Sequence, residues 1–569
     1  MSTECYPIAT LPHTTKLFRD FLAMSDSGAD SPVREWYGSE PMGSKWMRPP
    51  APIGQAAALA AALERQSLAF GAGPATLANI AKLGNGARAV VTGQQVGLFG
   101  GPLFTLLKAA TAIARARQAT AATRIEHVPI LWLATEDHDL EEADQVSLLS
   151  KTSVETLRTA DARFPGVAAP VGDIVFQGHI DGLLDQASEL LGYAPICDLL
   201  RECYAHQPSA DGPTFAGAFA RLMTRLFSAH GLIVMDAAGR DFHSLGAPAL
   251  RFALEHAGQL EAALLTRTAE LEAAGYHAQV LVKPGASLLF LVSEVEGMEG
   301  TKNRQALRRL PDDTWRAGAG NSAKSYSTAD LLAILDATPE RLSPNALLRP
   351  VFQDTILPTT AYVGGPSEIA YFAQSAVLYA QVFATGETRG RVTPILPRLS
   401  ATLIEPAIAA IMAQHEVSLP DAMTTADELA QRLGARAMPI EGKRRLAAAG
   451  NALDDALTAA HQYLGSLDPA LGRSAEVSAS KMRYQMNRLR RLAATFELHR
   501  QASLRKHAEA LTLHLFPEGH PQERVLAGVW FLAAWDAAHG EAATPGAGLI
   551  AHLVDEAASQ CPGHLVIRL

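Results

Sequence analysis

The chain has 569 residues, of which 48% are hydrophobic and 19% charged, with 49 Lys and Arg against 58 Asp and Glu for a net charge of −9. This composition excludes a largely disordered chain and leaves room for several compact units. An acidic balance without a long Lys/Arg run argues against nucleic acid or an anionic membrane as the main partner.

Residues 1–150 read as N-terminal helices followed by the first half of an α/β core. Beyond the Pro- and Gly-containing stretch Met42 to Pro52, helices are expected over Gln55 to Gln66 and Pro74 to Leu83. Ala87 to Val91 reads as a buried strand. Pro102 is expected to open a helix whose apolar residues are Leu103, Leu106, Leu107, Ala110, Ile113 and Ala114. Between them lies Gly93-Gln94-Gln95-Val96-Gly97-Leu98-Phe99-Gly100-Gly101-Pro102. Strand, glycine turn and helix start in that order leave backbone N–H groups at the positive end of a helix dipole, where an anion binds. Gly97, Gly100 and Gly101 would let it come close. Neither GxxxxGK[ST] nor GxGxxG is present, and the same glycines would also serve a bare tight turn.

Val128 to Ala134 is apolar without alternation, as in a central parallel strand, and it runs into Thr135-Glu136-Asp137-His138-Asp139. Ligands of a doubly wound sheet sit beyond the carboxyl ends of its strands, so the glycine turn and this cluster are expected on one rim. Glu136, Asp137, His138 and Asp139 offer general acid–base groups, and Asp137 and Asp139 offer ligands for Mg²⁺. In an extended chain Asp137 and Asp139 would face away from Glu136 and His138, so all four converge only if the backbone turns after Glu136. His138 suits a structural role equally well.

Residues 151–214 form a first connecting insertion, rich in turn residues such as Phe164-Pro165-Gly166 and Pro170-Val171-Gly172. The core continues over 215–265 with an amphipathic helix, Phe215 to Ala229, and a strand, Leu232 to Met235, ending at Asp236. A helix near 248–274 leads into a second insertion, 266–343, with β-like runs Gln279 to Val282 and Ser287 to Val292, a polar segment 293–327 and a helix near 328–337. Residues 344–404 complete the core. Leu347 to Phe352 reads as a strand, and Gly364-Gly365-Pro366 precedes another helix. Arg349, Arg391 and Arg398 suit a substrate carboxylate, or a solvated surface.

Over 405–515, Ile440 to Leu464 and Arg473 to Leu515 read as two long helices joined by Gly465-Ser466-Leu467-Asp468-Pro469. An antiparallel coiled coil would seal Leu453, Leu457, Ala460 and Leu464 against Met482, Met486, Leu489 and Phe496. A small α-rich segment, 516–569, closes the chain. Its most apolar window, Val525 to Trp535, is shorter than the roughly 20 residues that cross a bilayer. Cys5, Cys197, Cys203 and Cys561 are too few and too scattered for a disulfide framework, and no leader peptide follows Met1. A cytoplasmic protein is expected.

Taken together, Gly93-Gln94-Gln95 with Gly97 to Pro102, the Glu136 to Asp139 block, Tyr362-Val363-Gly364-Gly365-Pro366 with Glu368-Ile369-Ala370-Tyr371-Phe372-Ala373-Gln374, and Pro521-Gln522-Glu523-Arg524 resemble the bacillithiol-synthesis cysteine-adding enzymes. The resemblance runs in order over nearly the whole length. It implies a Rossmann-like parallel-sheet core with two inserted connecting segments, akin to the nucleotide-binding domain of class I aminoacyl-tRNA synthetases, and a C-terminal α-helical antiparallel coiled coil supporting a homodimer. The implied reaction joins cysteine to glucosaminyl-malate through an amide bond. One departure is that Ala143-Asp144-Gln145 stands where many members carry an Asn-His pair.

Because a carboxylate anion is a poor electrophile, such a reaction calls for an acyl-adenylate or acyl phosphate, hence ATP and Mg²⁺. The glycine turn, with Gln94 and Gln95, would then hold phosphate or another substrate anion. Asp137 or Asp139 would hold the metal, and Glu136 or His138 would take a proton from the attacking amine. Gly364, Gly365, Ser367, Glu368, Tyr371 and Arg349 would bind the remaining substrate groups, although helix capping is an alternative role for Ser367 and Glu368. Two other readings use the same residues: a nucleotidyl-transferring or hydrolysing enzyme of this fold with another substrate, and a non-catalytic coiled-coil assembly protein with a metabolite-sensing pocket.

Overall fold

The structure, a computed structural model, describes residues 4–569 apart from 28–31, 38–39, 41–42, 52–53, 160–166, 177–179, 205–213, 296–297, 319–322, 385–389, 541–543, 560 and 562. After the short strand β1 (Glu4–Tyr6) and helices that include Ala56–Ala69 and Pro74–Gly84, the core begins with β2 (Arg88–Gln94) and β3 (His127–Leu133). Every residue of β3 is buried, as its unalternating sequence demands. Val128, Ile130 and Trp132 feed the apolar layer on one side of the sheet. Leu131 and Leu133 feed the layer on the other.

The hairpin β4 (Gln145–Leu149) and β5 (Val154–Arg158) precedes β6 (Ile233–Asp236). A second, antiparallel sheet follows, made of β7 (Ala286–Val295), β8 (Met298–Arg309), β9 (Trp315–Ala317), β10 (Lys324–Tyr326) and β11 (Leu342–Pro344). The core is completed by β12 (Thr359–Gly364) and β13 (Ile395–Pro397). Last come β14 (Ser400–Ile404) and β15 (His564–Arg568), which form a small sheet with β1.

The five core strands are parallel, in the order β13-β12-β2-β3-β6. The chain therefore adds β3 and β6 on one side of β2, then returns to lay β12 and β13 on the other. This reversal opens a crevice beyond the carboxyl ends of β2 and β12, where the side loops diverge.

Several expectations are corrected. Leu347 to Phe352 is not a strand: Asn345 Oδ1 accepts from the amides of Leu347 and Leu348, each at 3.0 Å, Pro350 suits a first turn, and the helix Arg349–Ile356 results. Gln279 to Val282 forms no strand, whereas the polar segment 293–327 supplies the whole of β8, β9 and β10. The stretch near 248–274 is two helices, Arg240–Glu255 and Ala257–Ala273. Pro102 does not open its helix, which spans Phe104–Thr123. It pairs with Ala527 in an isolated bridge while the Leu103 amide donates to Leu526 O at 2.8 Å. Phe164-Pro165-Gly166 lies outside the described residues.

The long helices are Ile440–Leu467 and Pro469–Arg500, and a break at Gln501 separates them from Ala502–Leu515. Their seam uses Gly472, Ala479 and Met486, which recur every seventh residue and are buried. Met482, Leu489 and Phe496, expected in the seam, are instead 49%, 54% and 65% exposed on another face. Small seam residues let the two backbones approach, and that closeness leaves the larger side chains outside.

Cys5 and Cys561 form a disulfide, contrary to the expectation of unpaired cysteines. The antiparallel pairing of β1 with β15 brings together residues that lie 556 positions apart in sequence. Cysteine usage therefore no longer argues for a reducing compartment. Among the described residues no helix is long and apolar enough to cross a membrane.

Candidate active site

The crevice between β2 and β12 deepens into a cavity of about 250 Å³. Its floor is Gly93, Gln94 and Trp132, and Lys108, Arg349, Arg398 and Arg524 reach it from four segments of the chain. Lys108 is buried although it is charged. Its Nζ donates to Gly93 O at 2.7 Å and Gln94 Oε1 at 3.1 Å, and lies 2.6 Å from Glu368 Oε2. Burial draws its ammonium below the ordinary value, against the pull of Glu368.

Glu368 ties three elements together. It accepts the Gly365 amide at 2.7 Å at the start of the helix Pro366–Val382, the Tyr362 hydroxyl at 2.6 Å from β12, and the Lys108 pair. A Cβ on Gly93 would come 2.5 Å from the Tyr362 hydroxyl, so a glycine is required where β2 passes this cluster. Ser367 and Gly365 also line the cavity. Tyr371 lies behind it, its hydroxyl accepting from Arg349 Nη2 at 3.3 Å. Gly364 lies within β12, and its carbonyl accepts the Arg398 amide at 3.0 Å.

Arg398 is fixed from the far side. Its guanidinium pairs with Glu523 Oε1 at 2.7 Å, and that buried carboxylate also accepts from Ser400 Oγ at 3.0 Å and from the Ala401 amide at 2.8 Å. Burial opposes the charge of Glu523, but Arg398 and its other partners hold the carboxyl below its ordinary value. Behind Glu523, fully buried His564 contacts the Ser400 and Thr402 hydroxyls through its two ring nitrogens, each at 2.8 Å. Arg391, by contrast, donates to the carbonyls of Asp354 and Leu357 and holds the chain path.

The acidic cluster does turn, and its members separate. Asp137 lines the cavity. Its Oδ1 accepts the His138 amide at 2.8 Å and lies 3.8 Å from Arg304 of β8. Glu136 points away and pairs with buried His243 at 3.0 Å. Burial alone would lower the His243 imidazole, yet Glu136 raises it overall. His138 is exposed, 3.3 Å from Arg304. Asp139 is exposed and lines neither this cavity nor the next. Among the described residues no three His, Cys, Asp or Glu side chains gather as a metal cage. Asp137 beside Arg304 and Arg349 is a poor seat for a resident Mg²⁺.

The glycine turn also differs from expectation. The Gly100 amide is spent on the Tyr204 hydroxyl at 3.3 Å, and the Gly101 amide on Leu98 O at 3.0 Å. Both amides are engaged within the protein and are not free to bind an anion. Gly97 and Gly101 line a second cavity of about 560 Å³, which shares Gln94, Gln95, Phe104 and Arg524 with the first. Sequence reasoning missed Lys108, although a lone charge between Leu106-Leu107 and Ala109-Ala110 on an apolar helix was a usable signal.

Two family models match. Residues 1–399 match "Bacillithiol biosynthesis BshC, N-terminal Rossmann-like domain", and residues 401–539 match "Bacillithiol biosynthesis BshC, C-terminal coiled-coil domain". The chain is 40% identical over 574 residues to a protein of Koribacter versatilis (strain Ellin345), and 34% identical over 571 residues to one of Solibacter usitatus (strain Ellin6076), with 100% of both chains covered in each case. It is 31% identical to a protein of Symbiobacterium thermophilum over 525 residues, 88% of either chain. All three relatives bear the name "Putative cysteine ligase BshC".

Proposed function

The chain belongs to the bacillithiol-biosynthesis BshC family, and from that premise we propose that it is a ligase joining the carboxyl of cysteine to the amine of glucosaminyl-malate, with ATP as the activating substrate. The observation that carries the reading is the gathering of Lys108, Arg349, Arg398 and Arg524 around one cavity at the carboxyl ends of β2 and β12. A pocket so lined favours negative charge that builds up away from water. The cysteine carboxylate attacks a phosphorus atom of ATP there, giving an acyl phosphate with release of ADP, or an acyl-adenylate with release of pyrophosphate. The sugar amine then attacks the acyl carbon, the phosphate or AMP departs, and the amine proton passes to a base.

Arg398 meets the developing negative charge, Glu523 keeps Arg398 aimed, and Lys108, whose three donors are engaged by Gly93, Gln94 and Glu368, holds that wall together and adds positive potential beside it. Asp137, the member of the acidic cluster that lines the cavity, takes the amine proton. Gly365 and Ser367 border the acyl group. Mg²⁺ would enter with ATP and would supply charge neutralisation at the phosphates, with Asp137 as the acidic side chain nearest to it in the cavity. Two copies pair through the coiled-coil hairpin. The support for that pairing is the apolar stripe Met482, Leu489 and Phe496, which recurs every seventh residue and is left open on one copy.

The test incubates purified full-length protein with ATP, Mg²⁺, cysteine and glucosaminyl-malate and follows amide product and nucleotide by mass spectrometry. Product with stoichiometric ADP or AMP is expected, and Lys108→Met should lower kcat/KM by about 100-fold. Folded protein that forms no amide would refute the ligase reading, and an undiminished Lys108→Met would remove the lysine from the chemistry.

A further inference from the structure

The larger cavity has a lining unlike that of its neighbour. Hairpin β4–β5 contributes Gln145, Ser147, Thr156 and Arg158, and the β2 end contributes Gln94 and Gln95. Ser147 and Thr156 are register partners whose hydroxyls meet at 3.0 Å. The hairpin is held in place by the Ala527 amide, which donates to Ser147 O at 2.9 Å. Amides and hydroxyls each both donate and accept, so such a wall matches a ligand that carries many hydroxyl groups. The charged lining residues are Arg158, Glu518 and Arg524, the last shared with the smaller cavity.

The two cavities meet at Gln94, Gln95, Phe104 and Arg524. The Gln95 Nε2 is buried and has no hydrogen-bond partner among the described residues, a deficit that costs stability unless something relieves it. The residue itself lines both cavities. Phe104 is flanked by Arg398 at 5.4 Å and by Lys108 at 5.8 Å from its ring centre, so the cation-lined side ends at an aromatic wall and the amide-lined side begins behind it.

Resting on the ligase reading above, we infer that the larger cavity seats the hydroxyl-bearing sugar of the amine substrate, with its acidic substituent toward Arg158 and Arg524 and its amine directed past Gln95 into the smaller, cation-lined cavity. The volume supports this division. At about 560 Å³ the larger cavity falls within the range that encloses a small organic ligand. A nucleoside is the competing occupant, but among the described residues Phe104 is the one aromatic side chain on the wall, and the amides and hydroxyls of Gln94, Gln95, Gln145, Ser147 and Thr156 stand among Val96, Val146 and Val525 on the rest.

Calorimetric titration of the full-length protein with glucosaminyl-malate, malate and ATP tests the assignment. The variants are Thr156→Val and Gln145→Leu, singly and combined, with Ser147→Ala as a milder change if the pair perturbs folding. The double variant should bind glucosaminyl-malate roughly tenfold more weakly and ATP within twofold of the parent. Ser147→Ala should shift the same ligand in the same direction. Weakened ATP binding with intact sugar binding would reassign the cavity to the nucleoside, and unchanged affinity for both ligands would empty it of either role. If the parent makes the amide while the variants are indifferent, only this inference falls. If the parent neither binds glucosaminyl-malate nor makes product, the ligase reading falls with it.

Discussion

His564 joins the small sheet to the active-site wall, and its two ring nitrogens are engaged by the Ser400 and Thr402 hydroxyls. Burial pushes its imidazole from 6.5 down to about 4, with Glu523 pulling it up and Arg398 pushing it further down. The folded protein therefore keeps this histidine neutral, while the unfolded chain takes up a proton below 6.5. Stability from this residue is present above that pH and is lost as pH falls toward 4. Between pH 7 and pH 5 the loss amounts to about 2 kcal/mol. Urea unfolding at the two pH values should show a fall smaller by about that amount in His564→Gln than in the parent, and equal falls would contradict the assignment. At this scale the sequence was partly readable. The acidic block announced itself by chemistry, but which member faces the cavity depends on a turn whose partners, Val171 and Arg304, come from the insertions. The partners of Lys108, Glu368 and Gly93, likewise belong to segments that only the folded sheet brings together.

Among the elements, the root of the coiled-coil hairpin shows how a missing side chain sets a helix crossing. Gly434, in the helix Ala426–Ala437, packs on Pro469–Arg500 so closely that a Cβ would lie 2.5 Å from Ala494 O. Backbone cannot swing aside as a side chain can, so Gly434→Ala should destabilise by about 1–3 kcal/mol. Gly442, in the neighbouring helix Ile440–Leu467, has no described atom within 4 Å of its would-be Cβ. Gly442→Ala should accordingly stabilise by roughly 0.5–1 kcal/mol. Chemical denaturation of both variants checks the opposite signs, and two changes of the same sign would defeat the packing argument. Elements were legible where one property dominated: unbroken burial in β3, or helical periodicity in Ile440–Leu467 and Pro469–Arg500. They were illegible where a local device overrode composition, as at Asn345 and Pro350, where a capped turn makes a helix of a strand-like run. The hairpin seam was misplaced because two neighbouring stripes each recur every seventh residue, and only the close approach of backbone at Gly472 and the burial of Ala479 and Met486 choose between them.

At the scale of the whole molecule, the stripe Met482, Leu489 and Phe496 stands on a hairpin that projects two long helices from the core. Light scattering should give twice 60.5 kDa for the parent, and Leu489→Lys with Phe496→Lys should give the single-chain mass, since two buried like charges on each copy oppose pairing. A parent at the single-chain mass, or a variant that stays paired, would exclude this face as the contact. The order of layers was foreseen from alternating strand and helix patterns, whereas the role of residues 516–569 was not. That segment supplies β15, closes the larger cavity through Arg524 and Val525, and takes the Leu103 amide onto Leu526. The Cys5–Cys561 bridge adds a consequence of its own. A protease that nicks the hairpin tip near Gly465 leaves two fragments on one covalent thread, which migrate as a single band in detergent gels until a reductant severs the sulfur link and lets them part.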